Sequence, residues 1–159
     1  RNCYGMAFHP VTGGLFAGDN EGMEAGTGFE MLDELNFIVE GKNFEWGAAA
    51  GSIPGSQVGF AFWESLTQTV TPTAIAWHLG EDFTTPEAES LLLTTYNDHR
   101  LRQFLMTGPA RADIRDESEF AQLVVSPDNN HPIDVLVDDE TDDIYVSLLS
   151  GIYVIRRIE

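Results

Sequence analysis

Tyr4-Gly-Met-Ala-Phe-His-Pro-Val-Thr-Gly-Gly-Leu-Phe-Ala-Gly18 aligns without a gap on Ile133-Asp-Val-Leu-Val-Asp-Asp-Glu-Thr-Asp-Asp-Ile-Tyr-Val-Ser147. Each stretch is an apolar run, a polar turn carrying Thr12 or Thr141, and a second run opening on Leu15-Phe16 or Ile144-Tyr145. A third copy, Ala74 to His78 and then Leu91 to Thr95, has a longer turn containing Pro86. Elsewhere, short apolar runs are separated by Gly, Pro, Asp and Asn, with little helical periodicity. Such punctuation marks an all-β chain, and a strand-turn-strand unit recurring at wide spacing indicates sheets repeated in series.

Serial sheets of this kind form the blades of a β-propeller. The pattern predicts a first blade within 1–47, with strands near 4–8, 15–19, 33–38 and 43–46. A second blade, within 74–125, has strands near 74–78, 90–96, 100–106 and 119–125. A third, within 131–159, has only 132–137, 143–147 and 151–157. Residues 48–73 read as an inserted loop: Gly47-Ala-Ala-Ala-Gly-Ser-Ile-Pro-Gly55 is a flexible connection. Phe60-Ala-Phe-Trp-Glu-Ser-Leu66 reads as a helical turn packing Phe60, Trp63 and Leu66 on the ring. A closed propeller needs at least four blades, so the chain is expected to be the C-terminal part of a ring. No initiator Met precedes Arg1, so further chain is expected upstream. A partial ring exposes sheet edges and apolar faces, which calls for a partner.

Charge narrows the partners. The 159 residues hold 26 acidic and 8 basic side chains, a formal net charge of -18. Such a surface repels phosphate backbones and disfavours nucleic acid. No apolar run approaches the roughly 18–20 residues of a membrane span, and the first residues do not form a signal peptide. Cys3 is the single cysteine, so no intrachain disulfide is available.

Chemistry gathers at the start of the chain. Arg1-Asn2 and the carboxylates of Asp19, Asp33 and Glu34 put a guanidinium, amides and acids around two short strands, a layout suited to an anionic ligand and a divalent cation. The acidic run Asp138-Asp-Glu-Thr-Asp-Asp143 lacks the Gly and ligand spacing of an EF-hand loop and reads as a solvated hairpin turn. His9, His78, His99 and His131 read as structural or surface residues. No Ser-His-Asp set, phosphate loop or zinc spacing is present in the sequence.

Arg1-Asn2-x-x-Gly5-x-Ala7-Phe8, Asp19-Asn20, Asp33-Glu34-Leu35-Asn36 and Gly41-Lys42-Asn43-Phe44-Glu45-Trp46-Gly47 follow one another in an order that resembles the soluble quinoprotein glucose/sorbosone dehydrogenases. The likeness continues through His131-Pro132-Ile133-Asp134-Val135 and Asp143-Ile144-Tyr145-Val146-Ser147. It implies the last three blades or so of a six-bladed ring, from a secreted or periplasmic enzyme that oxidises aldose sugars with pyrroloquinoline quinone (PQQ) and calcium. By position it implies that Arg1, Asn2, Asn20 and Asp33 contact the quinone, with Arg100 a candidate for a further cation. Likewise it implies calcium binding by the carbonyls of Glu21 and Gly22, and a second calcium held by Glu34 and the carbonyl of Phe44.

The chain departs from the family at Cys3, Phe44 and Glu45-Trp46-Gly47, and in the longer stretch from Asn20 to Asp33. The family's general-base histidine precedes the Arg-Asn motif, so no catalytic residue is assigned here and the chain alone is expected to be inactive. The partner implied is the N-terminal half of the propeller, with a sugar as substrate. Two alternatives stand beside this one: a non-catalytic propeller subunit serving as an interaction module, and a calcium-dependent hydrolase of the lactonase type.

Overall fold

The computed structural model describes residues 2–20, 33–43, 57–58, 61–64, 69–80, 89–122 and 130–156. Among them there is no helix. The first sheet has the order β1 (Asn2–Phe8), β2 (Leu15–Asn20), β3 (Glu34–Ile38) and β6 (Ala61–Glu64). The second runs β7 (Pro72–His78), β8 (Ser90–Thr95), β9 (Arg100–Thr107) and β10 (Asp113–Gln122). The third has β11 (Pro132–Val137), β12 (Ile144–Leu148) and β13 (Gly151–Ile155). All three are antiparallel meanders.

The repeat thus becomes three serial sheets, with the third one strand short among the described residues. Two strands lie elsewhere than the sequence predicts. The fourth strand of the second sheet, expected near 119–125, starts six residues earlier and runs over Asp113–Gln122. The fourth strand of the first sheet is Ala61–Glu64, whereas Lys42–Asn43 (β4) makes a short parallel ladder with Gln57–Val58 (β5). The helical turn expected around Phe60 to Leu66 is therefore extended at residues 61–64. Apolar spacing over so few residues does not separate helix from strand, and the aromatic pair Phe62-Trp63 suits a strand. The connection at 47–55 lies outside the described residues.

Two apolar layers hold the sheets face to face. Phe16 and Leu35 of the first sheet meet Ile75, Trp77, Leu91, Leu93, Phe104 and Met106 of the second. On the opposite face of the second sheet, Ala74, Leu92 and Leu101 meet Val135, Ile144, Val146 and Leu148 of the third. Alternation along β8 sends Leu91 and Leu93 one way and Leu92 the other, and all three are fully buried. A strand covered on both faces reads as an unbroken apolar run. Each such leucine contributes about 1.5–3 kcal/mol on leaving water.

The first strands lie side by side, with β1 and β11 both packed against β7. Gly5 makes this approach possible. A Cβ there would come within 2.9 Å of the Ala74 Cα, a backbone atom with little room to move.

Candidate functional site

The register fixes which residues share an end of the stack. Asn2 lies opposite Asn20, Cys3 opposite Asp19, and Asp19 opposite Glu34. In the second sheet Thr95 faces both Pro72 and Arg100, and in the third Pro132 faces Leu148. Asn2, Asn20, Asp33, Glu34 and Arg100 therefore all stand where the first strands begin. Arg1, Glu21, Gly22 and Phe44 lie outside the described residues.

On the first sheet, Asn36 is fully buried and its Nδ2 donates to Asp19 Oδ2 at 3.0 Å and to Glu34 Oε2 at 3.2 Å. Asn36 Oδ1 is buried without a hydrogen-bond donor. Two carboxylates and an amide oxygen form a hard-oxygen donor set of the kind calcium takes. No group of three His, Cys, Asp or Glu side chains poised for a metal exists among the described residues, so any cation here needs amide or backbone oxygens as well. The Cys3 thiol is pushed above its ordinary range, first by partial desolvation and then by the charge of Asp19.

Asp33 is fully buried, and its Oδ2 accepts from the backbone N–H of Val70 at 2.5 Å and of Thr71 at 2.7 Å. Thr71 has a φ of 59°, a left-handed conformation that a β-branched residue adopts only when its surroundings impose it. The same segment accepts through Thr71 O from Tyr96 N at 2.8 Å and through Val70 O from Asn97 N at 2.9 Å. Asp33 thus braces a strained turn that carries the β8–β9 connection.

That connection bears Arg100. Its Nε lies 3.6 Å from Asp98 Oδ2, and Arg102 donates to the same oxygen at 2.6 Å. Next to it is a stack absent from the sequence-based site. His131 lies on Tyr96 with ring centroids 3.9 Å apart and 9° between planes, and its Nδ1–H donates to the Tyr96 carbonyl at 2.8 Å. His99 packs on His131 at 4.3 Å. A hydrogen-bonded path therefore crosses all three sheets, from Asp33 through Thr71 and Tyr96 to His131.

The opposite end is built differently. His9 Nδ1 accepts from the N–H of Val11 at 3.1 Å and of Thr12 at 3.0 Å, which leaves its proton on Nε2 to donate to Glu89 at 3.2 Å. Arg111 also donates to Glu89 and holds its carboxyl below the usual range. His78 pairs with Asp142 at 3.1 Å across the next seam. The acidic turn is occupied by structure rather than solvated throughout. Asp138 accepts from the N–H of Glu140 at 2.9 Å, and Arg156 engages both oxygens of Asp143 at 2.9 and 3.0 Å.

No protein-family model matches this sequence, and no curated protein matches it. Solved structures share its fold. An oxidoreductase (glucose dehydrogenase) from Thermus thermophilus superposes with a TM-score of 0.63 at 23% identity, over 92% of this chain and 39% of that one. A glucose dehydrogenase gives 0.69 at 16% identity, over 97% and 43%. The PQQ-bound form of an aldose sugar dehydrogenase from Streptomyces coelicolor gives 0.63 at 22% identity, over 92% and 36%. The likeness establishes the fold: three antiparallel sheets resembling part of a propeller. The chain spans 36–43% of the length of these structures. No helix among the described residues is long and apolar enough to cross a membrane.

Proposed function

We propose that this chain forms the cofactor- and calcium-binding side of a PQQ-dependent, aldose-oxidising propeller, and that the remaining blades and the general base come from outside it. The carrying observation is the gathering of Asn2, Asn20, Glu34 and Arg100 at one end of the stack, in a fold shared with sugar dehydrogenases. The orphaned Asn36 Oδ1 beside Asp19 and Glu34 supports a hard cation at that end. Glu34 and Asn36 would hold calcium, and the amides of Asn2 and Asn20 with the Arg100 guanidinium would orient the quinone. When bound, the quinone supplies the electrophilic acceptor for a sugar hydride. Arg1, Glu21, Gly22 and Phe44 keep the cofactor and calcium roles that the family resemblance gives them, and a secreted or periplasmic setting follows from the same resemblance. Asp33 acts through Thr71 and Tyr96, keeping the Arg100 turn in place.

The test is thermal unfolding with calcium and PQQ added singly and together, alongside the quinone absorbance. Calcium is expected to raise the melting temperature, and Glu34→Gln to remove that increase. Absence of both a calcium-dependent shift and any change in the quinone spectrum sinks the proposal. A second reading is favoured by one observation: Asp33, expected at the cofactor, has an oxygen committed to two backbone amides. On that reading the chain is a propeller scaffold without the chemistry, and it predicts a calcium response without a quinone response.

A further inference from the structure

Asn36 meets the two carboxylates of the first sheet with its nitrogen, the wrong amide atom for a metal. Phe16 and Leu35 face the second sheet, so alternation turns Ala17, Asp19, Glu34 and Asn36 to the other side of the ladder. Asp19 lies directly opposite Glu34 in the register, and Asn36 is the next residue of β3 on that face. Asp19 is 6% exposed and Asn36 is fully buried. Like charges directly opposite one another weaken an antiparallel pair. Here the Asn36 NH2 group bridges them, donating to Asp19 Oδ2 at 3.0 Å and to Glu34 Oε2 at 3.2 Å.

An amide used in this way turns its oxygen elsewhere. Asn36 Oδ1 is buried with no donor, so it has lost its hydration without a replacement. A hard cation takes oxygen ligands, whereas an NH2 group offers it only protons. The point where the Asp19 and Glu34 oxygens converge therefore suits the Asn36 NH2 group or a cation, and not both. The last torsion of an asparagine is broad and roughly two-fold. A half-turn about Cβ–Cγ exchanges the two amide atoms and brings Oδ1 to that point. Either orientation leaves one amide atom in the place that Oδ1 occupies now, so the orphaned oxygen does not fix the side chain against the turn.

We propose that the Asn36 amide is a built-in substitute for calcium: its NH2 group bridges Asp19 and Glu34 when the metal is away, and calcium displaces it and draws Oδ1 in as a ligand. The inference rests on the calcium part of the proposed function and adds the residue that regulates that site. Two consequences follow from the exchange. Strands β2 and β3 stay paired without calcium, because the amide holds the opposed carboxylates together. Calcium binds less tightly than the same oxygens would bind it without the competing NH2 group, since two hydrogen bonds must first be given up.

The experiment is NMR of the isotope-labelled protein, titrated with calcium chloride alone. The Asn36 NH2 signals are identified by their loss from the spectrum of Asn36→Asp. Without calcium they are expected to show cross-relaxation to the side-chain methylene protons of Asp19 and Glu34, and saturating calcium is expected to abolish it. Calorimetry adds a second measurement. Asn36→Asp exchanges the NH2 group for a third carboxylate oxygen, and is expected to bind calcium about tenfold more tightly while melting lower without it. Calcium binding with the cross-relaxation intact overturns the proposal and leaves the proposed function standing. So does the absence of that cross-relaxation before calcium is added. No calcium response of the wild-type protein, in either the spectrum or the melting temperature, overturns this inference together with the calcium part of the proposed function.

Discussion

The middle sheet and the last sheet are built from similar hairpins yet stand in different solvents. Every residue of Ser90–Thr95 is buried, whereas Gly151–Ile155 alternates between exposed and half-buried positions. Among the described residues, the middle sheet has a neighbour on each face and the last has one. Apolar content is therefore a statement about neighbours rather than about strands. Leu91-Leu92-Leu93 announces two covered faces, and the exposed Leu136, Ile152 and Val154 mark a face that no other described sheet covers.

Truncating the middle sheet breaks this contrast most strongly. Leu92→Ala and Leu93→Ala are each expected to cost about 2–5 kcal/mol in urea unfolding, as a cavity opens in a layer that cannot collapse. Leu136→Ala is expected to stay within about 0.5 kcal/mol under dilute conditions. Similar losses at all three positions would show that the last sheet has its second face covered in solution.

A smaller effect is expected where the first strands touch. Gly5→Ala sets a methyl 2.9 Å from the Ala74 Cα, and the forced shift should cost about 1–3 kcal/mol by the same unfolding measurement. His9→Ala removes the acceptor for two turn amides and the donor to Glu89, with an expected loss of about 1–3 kcal/mol. A neutral outcome for His9→Ala would mean that apolar burial alone holds the first seam.

The smallest effect is the pH dependence of that seam. Arg111 lowers the folded-state value of Glu89 from an ordinary 4.5. Its contribution is fully present above about pH 4.5 and is lost as pH falls through the lowered folded value. Arg111→Ala should therefore flatten part of the acid limb of a stability-against-pH curve. An unchanged limb would remove the Glu89–Arg111 pair from the account of the seam.

Much of this fold was legible in the residues. The third sheet, expected at 132–137, 143–147 and 151–157, is found at Pro132–Val137, Ile144–Leu148 and Gly151–Ile155. Its strands alternate and its turns carry Asp, Thr and Gly, so each hairpin is encoded within a few residues. The strand at Ala61–Glu64 was missed because four residues hold too little periodicity to oppose a helical reading. Of the candidate site, Asn2, Asn20 and Glu34 were brought to one end by ladders between neighbouring strands. Tyr96 and His131 went unnoticed as a pair because no local motif joins them.

The sequence by itself determined the all-β class and the repeated hairpin, since these follow from alternation and turn chemistry over short stretches. Tertiary structure alone decided that Asp33 braces Thr71 and that His131 stacks on Tyr96. Those partners lie 38 and 35 residues apart in the chain. Contacts of that range depend on how sheets stack. The stacking is set by side-chain volume on two faces at once, which no local pattern records.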